Sequence, residues 1–211
     1  MTETNLNICP NVSRETRLRL ELYAGLLVKW NARMNLLGSG EIERLWPRHI
    51  NDSLQLLKLI PDTAKTFVDI GSGAGFPGLI LAIALRDRPG AEFTLIESNG
   101  RKCAFLREAA RITKAPVRVI NRRIEDFKPG ELSCDILTAR ALAPVEKLLA
   151  MAQIFLGINS QCLFLKGQYV DDELTAAAKC WNISLEIHPS ITDPTGRILV
   201  IGDIQPRSGC A

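Results

Sequence analysis

The sequence lacks long apolar runs, and this excludes one class of protein at the outset. No apolar stretch among its 211 residues reaches the roughly 18 that a membrane-spanning helix requires. The first eleven residues also lack the basic start and apolar core of a secretory signal. We therefore expect a cytoplasmic protein without a membrane partner.

Metal ligands and aromatic residues are also scarce. The chain has two histidines, and its six cysteines are scattered, so no group of them has the close spacing of a zinc knuckle. We expect no metal cofactor. Aromatic residues make up 6% of the chain, which argues against broad stacking on single-stranded nucleic acid as its main means of binding.

The composition is that of a protein that buries a core, with 46% hydrophobic and 23% charged residues. The net charge of +3 is weak evidence for an anionic partner, but the distribution of charge is more informative. Residues 101–128 contain nine basic and only three acidic residues. This stretch predicts either a solvated helix face or a surface that faces phosphates, and charge alone does not separate the two.

The chain divides into a helical start and an alternating remainder. Ser13 can cap a first helix. Leu18, Leu22, Leu26, Trp30 and Met34 follow at steps of four with Tyr23 and Leu27 alongside, which predicts one core-facing stripe. A second helical region, interrupted near Pro47, ends at Pro61. From residue 66 strands alternate with helices, which predicts an α/β fold with a mostly parallel sheet covered on both faces. The predicted strands are 67–70, 92–97, 117–120, 135–139, 162–165, 183–187 and 198–204.

A glycine-rich turn follows the first predicted strand. Phe67 to Ile70 suits a buried strand, and Gly71, Gly73 and Gly75 permit backbone angles and a close approach that a Cβ would forbid. Pro77 suits the first position of the following helix. Such a turn favours a ligand that lies against the backbone.

Three ligand classes use such a turn. A nucleoside-triphosphate loop needs a Gly-Lys-Ser/Thr ending, which is missing here. A dinucleotide needs an acid about 20 residues further on for a ribose hydroxyl, and Glu97 meets that spacing. S-adenosylmethionine (SAM) also has ribose hydroxyls, but it is cationic, and Asp69 suits a cation better than a pyrophosphate. Asp69 therefore favours SAM over NAD, although it could also cap the turn, and Glu97 could be a surface acid.

The ordered motifs of the chain resemble one family. Val68 to Gly75 looks like motif I of class I SAM-dependent methyltransferases, and residues 20–202 as a whole resemble the RsmG (GidB) family, which makes 7-methylguanosine in small-subunit rRNA. Residues 27–36 and 48–54 carry the helical signature that separates this family from other methyltransferases. The remaining matches are residues 69–78, 95–98, 101–102, 105–107, 123–126, 138–141 and 165–168.

The resemblance implies a fold, a reaction and a site. The implied fold is the Rossmann-like, doubly wound, seven-stranded sheet of class I SAM methyltransferases, with an N-terminal helical extension at 1–62, a catalytic domain at 63–205 and a tail at 206–211. The implied activity is methyl transfer from SAM to N7 of a guanine in 16S rRNA, free or in an assembling subunit, by a protein with no evident need to be more than a monomer. The expected cofactor residues are Asp69, Gly71, Gly73, Phe76, Glu97, Ile124, Glu125 and Arg140.

Arg140 is also the expected catalytic residue, since it ends the fourth strand beside the transferring methyl group. It could bind the SAM carboxylate or an RNA phosphate. His49, Asn35 and Lys166 are second candidates for shaping the pocket. Guanine N7 carries a lone pair and no proton, so its methylation needs neither a nucleophilic cysteine nor a general base.

Other functions remain open at this stage. They are methylation of a small molecule or a protein, oxidoreduction with NAD, and RNA binding without catalysis. The N-terminal signature and the basic residues at 101–128 argue against the first of these, and Asp69 argues against the second.

Overall fold

A single sheet of seven strands forms the centre of the computed structural model, which describes residues 12–209. The strands are β1 (Thr66–Ile70), β2 (Glu92–Glu97), β3 (Val117–Asn121), β4 (Cys134–Arg140), β5 (Leu156–Lys166), β6 (Trp181–Pro189) and β7 (Arg197–Pro206). Their order across the sheet is β3-β2-β1-β4-β5-β7-β6. Only β7 runs against its neighbours, pairing antiparallel with both β5 and β6. The expected seven-stranded, mostly parallel α/β sheet is confirmed.

Helices cover both faces of this sheet. They are α1 (Arg14–Met34), α2 (Asn51–Leu54), α3 (Gly78–Ala84), α4 (Gly100–Thr113), α5 (Val145–Ala152) and α6 (Val170–Ala177). A π-helical segment (Leu45–Ile50) precedes α2, and 3₁₀ turns lie at Gln55–Leu59 and Ile124–Asp126. The interruption expected near Pro47 is the π-helical segment. Among residues 12–209, no helix combines the length and the apolar character needed to cross a membrane.

The two faces of the sheet have separate hydrophobic cores. On one face α1, α3 and α4 share a core that includes Leu20, Leu27, Leu79 and Phe105, all fully buried. On the other face α5 and α6 pack against β4, β5 and β7. The N-terminal helices are therefore an integral layer of the molecule, and they lie on the side of the glycine turn.

Helix α1 corrects one sequence-based expectation. Ser13 does cap it, accepting the N–H of Thr16 at 3.1 Å. Tyr23 and Leu27 are buried as predicted, but they are joined by Leu20, whereas Leu18 and Leu22 are 52% and 55% exposed. Residues at steps of four advance 400° in an α-helix, so such a stripe drifts by about 40° at each step. The predicted stripe therefore winds off the core at its N-terminal end.

Candidate functional site

The parallel strands bring the predicted site residues to one edge of the sheet. Asp69 lies near the end of β1, Glu97 ends β2, Ile124 follows β3 and Arg140 ends β4. These strands pair in parallel as neighbours, so their carboxyl ends meet at the same edge. This edge is where ligands bind in open α/β sheets.

The glycine turn has the backbone that its sequence predicts. Gly71, Gly73 and Gly75 have φ angles of +66°, +55° and +101°, a region that residues with a Cβ rarely adopt. A Cβ on Gly71 would also lie 2.6 Å from a methyl carbon of Leu142, which packs over the turn. Pro77 does not open α3 as predicted, since it precedes the first helical residue by one position.

Helix α1 holds this turn from outside. The hydroxyl of Tyr23 donates a hydrogen bond of 2.6 Å to the backbone oxygen of Ala74, and its ring meets Phe76 edge-on at 5.8 Å. Tyr23 is fully buried, and burial raises the pKa of its hydroxyl well above the ordinary value. The hydroxyl therefore remains a donor, and the N-terminal helix is coupled to the shape of the turn.

Glu97 binds the glycine turn directly. Its Oε2 accepts the N–H of Gly73 at 2.9 Å, and its Oε1 accepts the N–H of Asn99 at 2.8 Å. The sequence left open that Asp69 caps the glycine turn. In the structure Glu97, at the end of β2, provides this cap. Because each carboxylate oxygen has two lone-pair sites, Glu97 can still accept hydrogen bonds from a ligand.

Asp69 lies beneath the turn. Its Oδ1 accepts the hydroxyl proton of Thr138 at 2.6 Å, while its buried Oδ2 has no partner among the described residues. Burial raises the pKa of this carboxyl to about 6, against the hydrogen bond from Thr138. The first residue of α3 packs so closely here that a Cβ on Gly78 would lie 2.4 Å from the Cβ of Asp69. Asp69 therefore lies buried below the ligand edge, enclosed by Thr138 and the start of α3.

The 3₁₀ turn after β3 contains two of the predicted residues. Ile124 is buried, with 8% of its surface exposed, whereas Glu125 is exposed. No hydrogen bond or ion pair ties the Glu125 side chain to the rest of residues 12–209. An apolar side chain and a backbone N–H are therefore what this turn presents to the edge.

Arg140 is held by the helical extension. Its Nη2 donates to the backbone oxygen of Arg48 at 2.7 Å, its Nη1 lies 2.8 Å from His49 Nδ1, and its Nε lies 3.3 Å from Asp52 Oδ2. The side chain is 16% exposed. Three of the five guanidinium N–H groups thus face protein partners, which leaves two for a ligand.

His49 is the centre of a short chain of polar contacts. Its Nε2 lies 2.7 Å from Glu41 Oε2, and its ring packs on Phe76 at a centroid distance of 4.9 Å. Burial, together with the nearby Arg140, lowers the pKa of His49 to about 4. The ring is therefore neutral at pH 7. Since Nδ1 faces the guanidinium donor, the ring proton sits on Nε2 and is donated to Glu41.

The hairpin between β6 and β7 completes this network. Asp52 Oδ1 accepts hydrogen bonds from Gln55 at 2.7 Å, Thr192 at 2.7 Å and Ser190 at 3.2 Å. Arg48 forms an ion pair with Asp193, which lowers the pKa of that carboxyl to about 2. We define the set Glu41, Arg48, His49, Asp52, Gln55, Arg140, Ser190, Thr192 and Asp193 as the Arg140 network.

A cavity of about 290 Å³ opens beside the Arg140 network. It lies at the ends of β4 and β5, where Arg140 and Lys166 meet the exposed ring of Tyr169. Lys166 pairs with Glu173 at 2.6 Å and donates to the backbone oxygen of Ala143 at 3.0 Å. Lys166, one of the residues predicted to shape the pocket, thus holds the loop that follows Arg140 in place. Asn35, which was also predicted to shape the pocket, ends α1 in a left-handed conformation.

Sequence reasoning missed several residues of the site. The polar contacts of Tyr23, Asp52, Thr138 and Asp193 are made to segments distant in the chain. Tyr23 carried a weak signal, as an aromatic residue beside an apolar stripe. Asp52 and Thr138 lie in the segments 48–54 and 138–141 that carry the family resemblance, but the sequence indicated no contact for either. Asp193 carried no signal, because a lone acid in a loop is usually solvated.

The chain matches the family described as rRNA small subunit methyltransferase G, GidB, over residues 17–197. It is 54% identical over 194 residues to a protein of Paramagnetospirillum magneticum named ribosomal RNA small subunit methyltransferase G, covering 92% of this chain and 91% of that one. A protein of the same name from Gluconobacter oxydans is 55% identical, with 92% and 97% covered.

Two solved methyltransferase structures have a similar fold. A ribosomal protein L11 methylase from Lactobacillus delbrueckii subsp. bulgaricus aligns with a TM-score of 0.58 at 16% identity, covering 74% of this chain and 78% of that one. A SAM-dependent methyltransferase from Aquifex aeolicus aligns with a TM-score of 0.55 at 14% identity, covering 75% and 90%. At these identities the likeness concerns the fold alone, and it confirms the predicted fold class.

Proposed function

The chain belongs to the rRNA small subunit methyltransferase G family, and on that premise we propose that it transfers a methyl group from SAM to N7 of a guanine in 16S rRNA. The observation that carries this proposal is the family match over residues 17–197, which spans the helical extension as well as the sheet. The chain also covers more than nine tenths of each of the two relatives above.

The glycine edge fits SAM as the methyl donor. The open backbone of Gly71 and Gly73 admits the methionine part, and the free lone pairs of Glu97 suit ribose hydroxyls. Ile124 and the backbone beside Glu125 suit an adenine ring, because a purine needs an apolar surface and few polar contacts. Phe76 covers the start of α3, and the unpartnered Oδ2 of Asp69 favours a cationic ligand above it. We assign these residues and Arg140 to the cofactor site.

Arg140 would then join the cofactor to the target base. It borders both the Phe76 side of the site, at 5.9 Å from that ring, and the cavity at the ends of β4 and β5. With two N–H groups unoccupied by protein, it can bind one anionic group and hold it in place. We propose that this group is a phosphate or carboxylate next to the reacting atoms, and that the guanine enters the cavity.

The proposed reaction makes few demands on side chains. Bound SAM supplies an electrophilic methyl group on a sulfonium, and guanine N7 presents an in-plane lone pair without a proton. The chain has only to align the two and exclude water, so neither a base nor a metal is required. A covalent route through cysteine is disfavoured, since burial raises the pKa of Cys134 to about 12, which keeps it a thiol.

The remaining expectations are proposals of the same kind. We propose a cytoplasmic monomer with an N-terminal extension at 1–62, a catalytic domain at 63–205 and a tail at 206–211, of which residues 1–11 and 210–211 lie outside the described part of the chain. Sedimentation of the purified chain, alone and with SAM, tests the monomer directly. Limited proteolysis tests the boundary at residue 62.

NAD binding is the competing function that uses the same glycine turn. Thermal unfolding with SAM and with NAD separates the two, because a ligand of the native state raises the melting temperature. Stabilisation by NAD and not by SAM would overturn the proposed cofactor.

The activity itself is tested by incubating the protein with labelled SAM and small-subunit rRNA from cells lacking the gene. Free rRNA and whole small subunits are compared, and mass mapping then locates the labelled base. Label at N7 of one guanine is the expected result. Absence of label in both substrates, or label in a small molecule or protein instead, would refute the proposal.

A further inference from the structure

A groove between α1 and α4 is not used by the site described above. It has a volume of about 640 Å³, within the usual size range for a ligand pocket. Its apolar surface comes from Leu26, Trp30 and Met34, and its charged rim from Lys29, Arg33 and Arg101. We name it the α1–α4 groove.

The charge of the groove is of one sign and is not neutralised. No acidic residue lines it within the part of the chain that the structure describes. None of its three cations forms an ion pair with any residue of 12–209. Arg101 belongs to the basic stretch 101–128, in which Arg111 and Arg122 instead pair with Glu108 and Glu131. Only part of the basic stretch is therefore free for an outside anion.

The apolar surface offers a ring to stack on. Trp30 is partly exposed, and its inner edge packs on Phe105 at 5.7 Å, which fixes the ring in place. Phe105 in turn contacts Tyr23, and Tyr23 contacts Phe76 in the glycine turn. A row of aromatic rings thus leads from the groove to the candidate active site.

We propose that the α1–α4 groove binds an unstacked nucleotide of the rRNA substrate, with the base on Trp30 and its phosphates on Lys29, Arg33 and Arg101. An apolar surface ringed by free cations is complementary to a nucleobase with its phosphates. An acidic protein segment would leave the apolar surface unmatched, and an apolar segment would leave the cations unmatched. The inference rests on the proposed function and adds to it a second contact for the same substrate. Because α4 begins just after Glu97, the groove borders the ribose side of the cofactor site.

The test is the affinity for small-subunit rRNA, measured by filter binding at several salt concentrations. Trp30→Ala should weaken binding about five- to 150-fold, the range that corresponds to the ~1–3 kcal/mol of one base–aromatic stack. Trp30→Phe should restore most of the loss. Arg33→Ala and Arg101→Ala should each lower the salt slope by about one. The affinity for SAM should be unchanged in all four variants.

A second pair of variants tests the groove without replacing Trp30, so a folding defect caused by Trp30→Ala does not affect the result. Ala104 lines the groove on the exposed side of α4, so Ala104→Glu adds a negative charge there without disturbing the core. Ala150→Glu makes the same change at an exposed position of α5, on the opposite face of the sheet. We expect Ala104→Glu to weaken rRNA binding at least tenfold and Ala150→Glu to leave it unchanged.

The outcomes separate this inference from the proposed function. If the wild-type protein methylates rRNA and the groove variants bind rRNA normally, the groove inference is wrong and the function stands. If the variants instead change the sedimentation of the protein, the groove is an interface between copies of the chain, which also overturns the inference. If the wild-type protein neither binds nor methylates rRNA, the proposed function itself fails.

Discussion

The glycine turn and the Arg140 network hold their charged groups in different ways. Glu97 is bound by backbone N–H groups, from Gly73, 24 residues away, and from Asn99, two residues away. Arg140 is bound by groups 91 and 92 residues away in the chain, one of them the His49 side chain. The first arrangement joins backbone groups at the ends of two neighbouring strands to one side chain, whereas the second exists only when side chains from three distant segments pack together.

This difference predicts different sensitivities to mutation. A site made of backbone groups tolerates side-chain changes unless they add volume or distort the turn. A buried network of side chains depends on every member, because a buried charge that loses its partner is costly. Substitutions in the two regions test that contrast.

Arg140→Ala should have the largest effect. It leaves the carboxylate of Asp52 buried without its cation, and breaking such a pair typically costs about 3–5 kcal/mol of unfolding free energy. Methyl transfer should also be lost at temperatures where the variant is folded. Urea unfolding and the turnover assay measure the two effects.

The double variant Arg140→Ala with Asp52→Asn serves as its control. It removes the uncompensated charge, so part of the stability should return while turnover stays low. Arg17→Ala, which breaks an exposed pair with Glu21, should change neither property. Normal turnover in Arg140→Ala would show that the arginine is structural.

The contributions of Asp69 and His49 to the unfolding free energy should change in opposite directions with pH. The pKa of Asp69 is raised to about 6, so its contribution to stability is present below about pH 4 and lost as pH rises through about 6. The pKa of His49 is lowered to about 4, so its contribution is present above about pH 6.5 and lost as pH falls towards 4. Each contribution amounts to at most ~3 kcal/mol, from about two pKa units.

Variants at these two positions separate the opposing slopes. Asp69→Asn leaves the histidine contribution, so unfolding free energy should fall on acidification between pH 6.5 and 4. His49→Gln leaves the aspartate contribution, so the free energy should rise over the same interval. Urea unfolding at four pH values measures both, and slopes of the same sign would contradict the assignment.

Gly78→Ala tests how closely the glycine region is packed. The added methyl would lie 2.4 Å from the Cβ of Asp69 and 2.6 Å from Leu95, and such overpacking typically costs about 1–3 kcal/mol. Gly167→Ala is the matched control, because no atom lies within 4 Å of its added Cβ. Equal melting temperatures of the two variants would refute the close packing around Asp69.

Tyr23→Phe should have the smallest effect and is the most specific test of the coupling between α1 and the turn. It removes one hydrogen bond to the backbone oxygen of Ala74, worth about 1 kcal/mol, and keeps the ring. We expect a matching loss of stability and weaker SAM binding by calorimetry. Unchanged SAM affinity would show that α1 supports the fold without shaping the turn.

Much of the fold was predictable because its signals are local. Alternating apolar segments and glycines indicated seven strands and the turn at 71–78, and all seven strands are present. The predicted ends were less accurate. For example, β5 spans Leu156–Lys166, although the pattern predicted a strand only at 162–165, and the preceding helix α5 already ends at Ala152. A helix end depends on packing and capping, which apolar periodicity does not report.

The candidate site was predictable to the extent that strand ends define it. Glu97, Ile124 and Arg140 end or follow parallel strands, so the predicted parallel arrangement was enough to place them at one edge. The buried position of Asp69 beneath Gly78 required the actual helix–sheet packing. The burial of Leu20 in place of Leu18 and Leu22 on α1 also required the packing of the helix on the sheet.

The sequence alone therefore determined the sheet, the glycine turn and, through family resemblance, the methyltransferase class of this protein. Those features depend on residues near one another in the chain, where spacing has a direct physical meaning. Only the tertiary structure decided that Glu97 caps the turn, that Arg140 bonds to His49 and Asp52, and that Lys29, Arg33 and Arg101 rim one groove. Hydrogen bonds and charge pairs between distant segments form only where the whole fold brings them within about 3 Å, and no local pattern encodes that distance.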